Sequence, residues 1–105
     1  MKSRYSAYAL GIPSYIIETT HPANPRYQKD KAAWTQEIVE FSHSTQFLNL
    51  EILEVTPTKD GIATVTFKVT LKQAGHDASF KERSYFAELN GKWLYLNGDI
   101  LEGNR

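Results

Sequence analysis

The sequence predicts an α+β domain, with N-terminal helices packed on an antiparallel sheet of about four strands. Three observations predict it. Apolar residues recur at helical spacing up to about residue 44, and from about residue 46 the period drops to two. Asp-Gly and Asn-Gly pairs then punctuate the second half as hairpin signals. Helices followed by strands is the order of an α+β domain; alternating βαβ units would interleave them.

Residues 3–10 predict a short helix with Ser3 as N-cap, and Tyr5, Tyr8 and Ala9 share one of its faces. Gly11 suits its end, because glycine takes a left-handed backbone without steric cost. Pro13 fits the first turn of a second helix, about 13–19, which carries Tyr15, Ile16 and Ile17. Prolines at 22 and 25 break the chain; Asn24 is placed to cap, and Pro25 to open, a third helix over roughly 25–44. Along it Tyr27, Trp34, Ile38 and Phe41 make one apolar stripe.

Leu48, Leu50 and Ile52 alternate along a first strand ending near Pro57, and Asp60-Gly61 signals a turn. The second strand is the cleanest, with Ala63, Val65, Phe67, Val69 and Leu71 on one face. Thr64, Thr66, Lys68 and Thr70 occupy the other, so one face is buried and one is wet. Gly75-His76-Asp77 predicts the next turn. A third strand runs over about 79–89, and Asn90-Gly91 leads into a fourth that Asn97-Gly98 ends.

A length of 105 residues without repeat, linker or low-complexity tract predicts a single domain over 1–105. Twelve basic and twelve acidic residues cancel, which disfavours nucleic acid as a partner because phosphate binding needs a cationic surplus. With no cysteine there is no disulfide, thiolate nucleophile or Cys-ligated zinc, and no metal site or cofactor is expected. No apolar run approaches the roughly 20 residues that span a bilayer, and no apolar stretch follows the basic start. The expected location is the cytoplasm, with no membrane partner.

The third strand breaks the simple division into apolar and polar faces. Phe80, Glu82, Ser84 and Phe86 share one parity, so an inward Phe face takes a carboxylate and a hydroxyl with it. Burying a charge is costly without a partner, and Arg4 is the expected one for Glu82. Trp93, Tyr95 and Asn97 share a parity on the last strand and extend the same mixed surface. A concave face with a carboxylate, a hydroxyl and aromatic walls has the character of a small-molecule pocket.

Other candidates carry less. His21, His43 and His76 have no metal-ligand spacing; His43 suits a helix C-terminus and His21 is the best histidine general base. The scattered glycines form no phosphate loop, and Ser84 has no base beside it in sequence.

Two stretches resemble the YchJ family of small bacterial proteins. Met1-Lys2-Ser3-Arg4-Tyr5-Ser6-Ala7-Tyr8, with Thr20-His21-Pro22 downstream, is similar to that family's opening. Glu82-Arg83-Ser84-Tyr85-Phe86, then Gly91-Lys92-Trp93-Leu94-Tyr95 and Gly98, is similar to its ending, and Trp34 falls at a helical tryptophan. The resemblance implies a fold like that of nuclear transport factor two, in which helices and a strongly curved sheet enclose a conical cavity. Family members usually carry a cysteine-rich SEC-C zinc motif beside this domain; these residues hold none, so no metal-dependent role carries over. Carried over by position, the resemblance implies a ligand-binding set. Its opening gives Arg4, Tyr5, Tyr8 and His21, its helix gives Trp34, and its ending gives Glu82, Ser84, Phe86, Trp93 and Tyr95.

The leading expectation is a non-catalytic binding or accessory domain, holding a small ligand or forming a homodimer through an outer sheet face with Tyr85 and Leu89. The alternative is a lyase or isomerase with Glu82 or His21 as general base, which leaves enzymatic activity open.

Overall fold

A computed structural model describes residues 1–103, and at residues 57 and 58 the backbone alone. Helix α1 (Lys2–Leu10) starts one residue before the predicted one and has Met1 as N-cap, without a side-chain hydrogen bond. Ser3 therefore lies inside the helix, where its hydroxyl accepts a 2.6 Å hydrogen bond from the Tyr15 phenol. Gly11 closes α1 at φ 68°, and the Gly11 and Ile12 N–H groups return to the Tyr8 and Ala7 carbonyls. Helix α2 (Pro13–Glu18) opens on its proline and buries Ile16.

The third helix is shorter than predicted: α3 spans Lys31–Ser44. Asn24 does not cap it. Its Oδ1 accepts from the Arg26 N–H at 2.8 Å and its carbonyl from the Tyr27 N–H, which folds 24–27 into a turn. Asp30 is the N-cap, accepting from the Ala33 N–H at 3.1 Å. Tyr27 reaches the predicted stripe from outside the helix, edge-on to Trp34 with ring centroids 5.1 Å apart.

Helix α3 runs without a loop into β1 (Thr45–Lys59), followed by β2 (Ile62–Gln73), β3 (His76–Asp77), β4 (Phe80–Leu89) and β5 (Lys92–Gly103). The strands form one antiparallel sheet in the order β1-β2-β4-β5, with β3 on β2. Asp60-Gly61 and Asn90-Gly91 turn with both residues at positive φ, as expected. Ala74-Gly75 turns in the same way, and His76-Asp77, predicted as turn, are the short strand β3 instead.

The first strand departs from strict alternation. Its register on β2 shifts between Phe47 and Asn49 and again between Ile52 and Glu54, leaving Leu48 and Leu53 as the extra residues. Phe47, Leu50 and Ile52 face the core, whereas Leu48, predicted to join them, is 53% exposed. The last strand shows the same device at Leu96 and Leu101. It also continues past Asn97-Gly98, which were predicted to end it, because both residues keep pairing with β4.

Candidate functional site

The apolar interior is two clusters. Ala7, Ile16, Trp34 and Ile38 form one within the helical layer, and Phe67, Val69 and Leu71 form another on the sheet. Between them lies a cavity of about 490 Å³, walled by Ile16, Trp34 and Ile38 on one side and by Phe67, Val69 and Leu71 on the other. That volume falls within the roughly 300–1,000 Å³ of small-molecule sites.

Strand β4 places the polar groups as its parity predicts. Phe80 faces inward and lines the cavity, Glu82 is 4% exposed, and Ser84 is wholly buried. Ser84 Oγ donates to Glu82 Oε2 at 2.5 Å, and the Tyr95 hydroxyl donates to the same oxygen at 3.0 Å. Gly98, opposite Ser84 in the register, makes this approach feasible. A β-carbon there would lie 2.5 Å from Glu82 Oε2 and 2.6 Å from the Tyr95 oxygen, closer than atoms can pack.

Arg4 faces the same region from α1 and is itself 7% exposed. Its guanidinium donates to the Ile16 carbonyl at 3.2 Å and to the Thr19 and Thr20 hydroxyls at 2.6 and 3.3 Å. It also lies over the Tyr95 ring, 4.8 Å from the centroid, so Tyr95 touches both buried charges. Burial holds Arg4 below the usual guanidinium value, opposed by Tyr8, Tyr95, Tyr15 and Glu82 around it. Tyr95 is fixed through its backbone as well. Its N–H donates to the Thr19 carbonyl at 2.7 Å and its carbonyl accepts from the His21 N–H at 2.9 Å, which ties the helical layer to the sheet.

Of the residues carried over by resemblance, Arg4, Tyr5, Tyr8, Trp34, Glu82 and Tyr95 line the cavity. Burial pushes the Tyr5 phenol above its ordinary value. The other four sit apart from the wall. Ser84 backs Glu82, Phe86 packs edge-on to Tyr95 with centroids 5.7 Å apart, and Trp93 is 41% exposed. His21 Nδ1 accepts from the Ala23 N–H at 2.9 Å in the turn after α2. Asn97 joins the wall as its strand parity predicted, and Asn24, Gln73 and Gly98 join it without having been anticipated. Gly98 lies within the strand and marks a close approach, which its Asn-Gly turn signal concealed in the sequence. Among the described residues no helix is long and apolar enough to cross a membrane, and no cluster of His, Cys, Asp or Glu could hold a metal ion.

Comparison with known proteins agrees with this architecture. The chain is 34% identical over 101 residues to a UPF0225 protein of Bordetella pertussis, a match that covers 95% of this chain and 68% of that protein. It superposes with a TM-score of 0.76 on a SEC-C motif containing protein of Rhodopseudomonas palustris. The identity there is 29%, over 95% of this chain and 74% of that one. A SEC-C motif containing protein from Psychrobacter arcticus gives a TM-score of 0.73 at 28% identity, over 100% of this chain and 59% of that one. Residues 1–98 match the family described as YchJ, middle NTF2-like domain. The helices on an antiparallel sheet, the buried Arg4 and Glu82 and these matches lead to one conclusion: the chain belongs to the YchJ family, as its NTF2-like middle domain.

Proposed function

We propose that this domain is a non-catalytic binding module that holds a small ligand between its helical layer and its sheet. The observation that carries the reading is the divided core, two apolar clusters with about 490 Å³ of space between them. A domain needing only stability gains by closing such space, because an unfilled cavity forfeits packing contacts. The test is an NMR screen of the protein against small apolar fragments. Saturable shifts are expected at the amides of Leu50, Val69, Glu82 and Gly98, with the outer-face residue Lys68 unmoved. A screen without saturable shifts at those amides would reject the reading.

Two other readings each have an observation behind them. A lyase or isomerase would use Glu82, which lines the cavity. Against this, two hydroxyls converge on one oxygen of that carboxylate and hold it as an acceptor, and His21 is not on the wall. Glu82→Gln would abolish turnover of any substrate found, while a retained rate would remove that reading. Self-association is supported by Leu53, Leu89 and Leu101, exposed by 43%, 38% and 43%. Tyr85, expected alongside Leu89, is half-buried, with its hydroxyl donating to Asp99 Oδ2 at 3.1 Å. Light scattering at rising concentration decides it: a constant monomer mass would discard the homodimer.

A further inference from the structure

We infer that the ligand of this cavity is an uncharged amphiphile, a small aromatic or aliphatic body with one hydrogen-bonding head. The inference rests on the binding reading above and adds the chemical class. The charged side chains of the wall come in opposite pairs, and burial and then the Arg4 charge hold the terminal ammonium of Met1, also a wall residue, below its ordinary value, towards its neutral form. Arg4 and Glu82 are buried, and Arg26 and Glu37 are exposed at the rim. Within the cavity the two signs are joined through Tyr95, whose ring lies under Arg4 and whose hydroxyl binds Glu82. A ligand carboxylate drawn to Arg4 would enter the field of Glu82, and an ammonium drawn to Glu82 would enter that of Arg4. Either adds a second like charge to a site already shielded from water, where such repulsion is strong.

The rest of the wall suits a neutral molecule. Tyr5, Tyr8, Trp34, Phe41, Phe47 and Phe80 supply aromatic surface for the body. The exposed Asn97 and the half-buried Gln73, whose amide nitrogen also donates to the Thr45 hydroxyl at 2.9 Å, bring side-chain amides that pair with an alcohol or amide head without needing charge.

The test uses three probes of nearly one shape: benzyl alcohol, benzylamine and benzoate, titrated at neutral pH into the 105-residue chain and followed by amide shifts. Benzyl alcohol is expected to bind at least tenfold more tightly than either charged probe, with shifts at Val69, Tyr95 and Gly98. Tighter binding of benzylamine or benzoate at those amides overturns the inference and leaves the binding reading standing. Failure of all three removes both. Glu82→Gln, with folding checked by its circular dichroism and melting curve, leaves the Arg4 charge unbalanced and should swing selectivity at least tenfold towards benzoate. A folded variant with unaltered selectivity shows that charge balance does not set the ligand class, and so also overturns the inference.

Discussion

Glu82 keeps its place because three neighbours of different chemistry converge on it. Ser84 and Tyr95 each donate to Oε2, and Gly98 withholds the β-carbon that would collide with it. Gly98→Ala is expected to destabilise the fold by about 1–3 kcal/mol, the usual range for overpacking a tight site. Equilibrium urea unfolding checks this, and an unchanged midpoint would mean that the carboxylate moves away freely. Tyr95→Phe removes a hydrogen bond to a charged group and should cost about 1.5–3 kcal/mol on the same assay. These effects share one oxygen, so the double variant should fall short of or exceed their sum. The inward position of Glu82 and Ser84 was legible from strand parity alone. The role of Gly98 was not, because Asn-Gly is a strong local turn signal and only the tertiary approach of β4 reveals why the strand continues.

At the scale of elements, local chemistry and tertiary context divide the outcome. Strand β2, paired on both sides by β1 and β4, follows its alternation over Phe67–Leu71, whereas Thr66, predicted on the wet face, is 6% exposed because the strand is central. The edge strands β1 and β5 carry the bulges at Leu48, Leu53, Leu96 and Leu101, which reverse the parity partway along and which single-strand periodicity cannot reveal. The start of α3 was misplaced for a related reason. Asn24 and Asp30 are both good caps in isolation, and the turn at 24–27 decides between them. The bend between β3 and β4 gives a pH prediction. The Ser79 hydroxyl and backbone N–H hold the Asp77 carboxyl below the usual carboxylate range, the N–H at 2.9 Å from Oδ1. A value lower in the folded than in the unfolded state stabilises the fold above the unfolded value and loses that contribution as pH falls through the folded one. A carboxyl NMR titration should show Asp77 titrating below an ordinary aspartate, and Ser79→Ala should raise its midpoint. An unmoved midpoint would show that Ser79 is not the cause.

For the whole molecule, the split between the two apolar clusters is the feature from which the functional reading follows. Sequence reasoning reached the layers and the mixed inner face, because both follow from periodicity and parity. The cavity between the layers was expected through the family resemblance, and its extent depends on how far the sheet stands from Trp34 and Ile38, which periodicity and parity do not report. Space of that kind responds differently to added bulk than a filled core does. Val69 is 6% exposed, lies on the cavity wall and points from the middle of β2 towards the helices, so Val69→Phe puts a ring into the gap. The most direct measurement is the unfolding free energy of this variant alongside its fragment binding. A cavity predicts stability kept or raised together with loss of binding; a loss of about 1–3 kcal/mol, as in an overpacked interior, would contradict it.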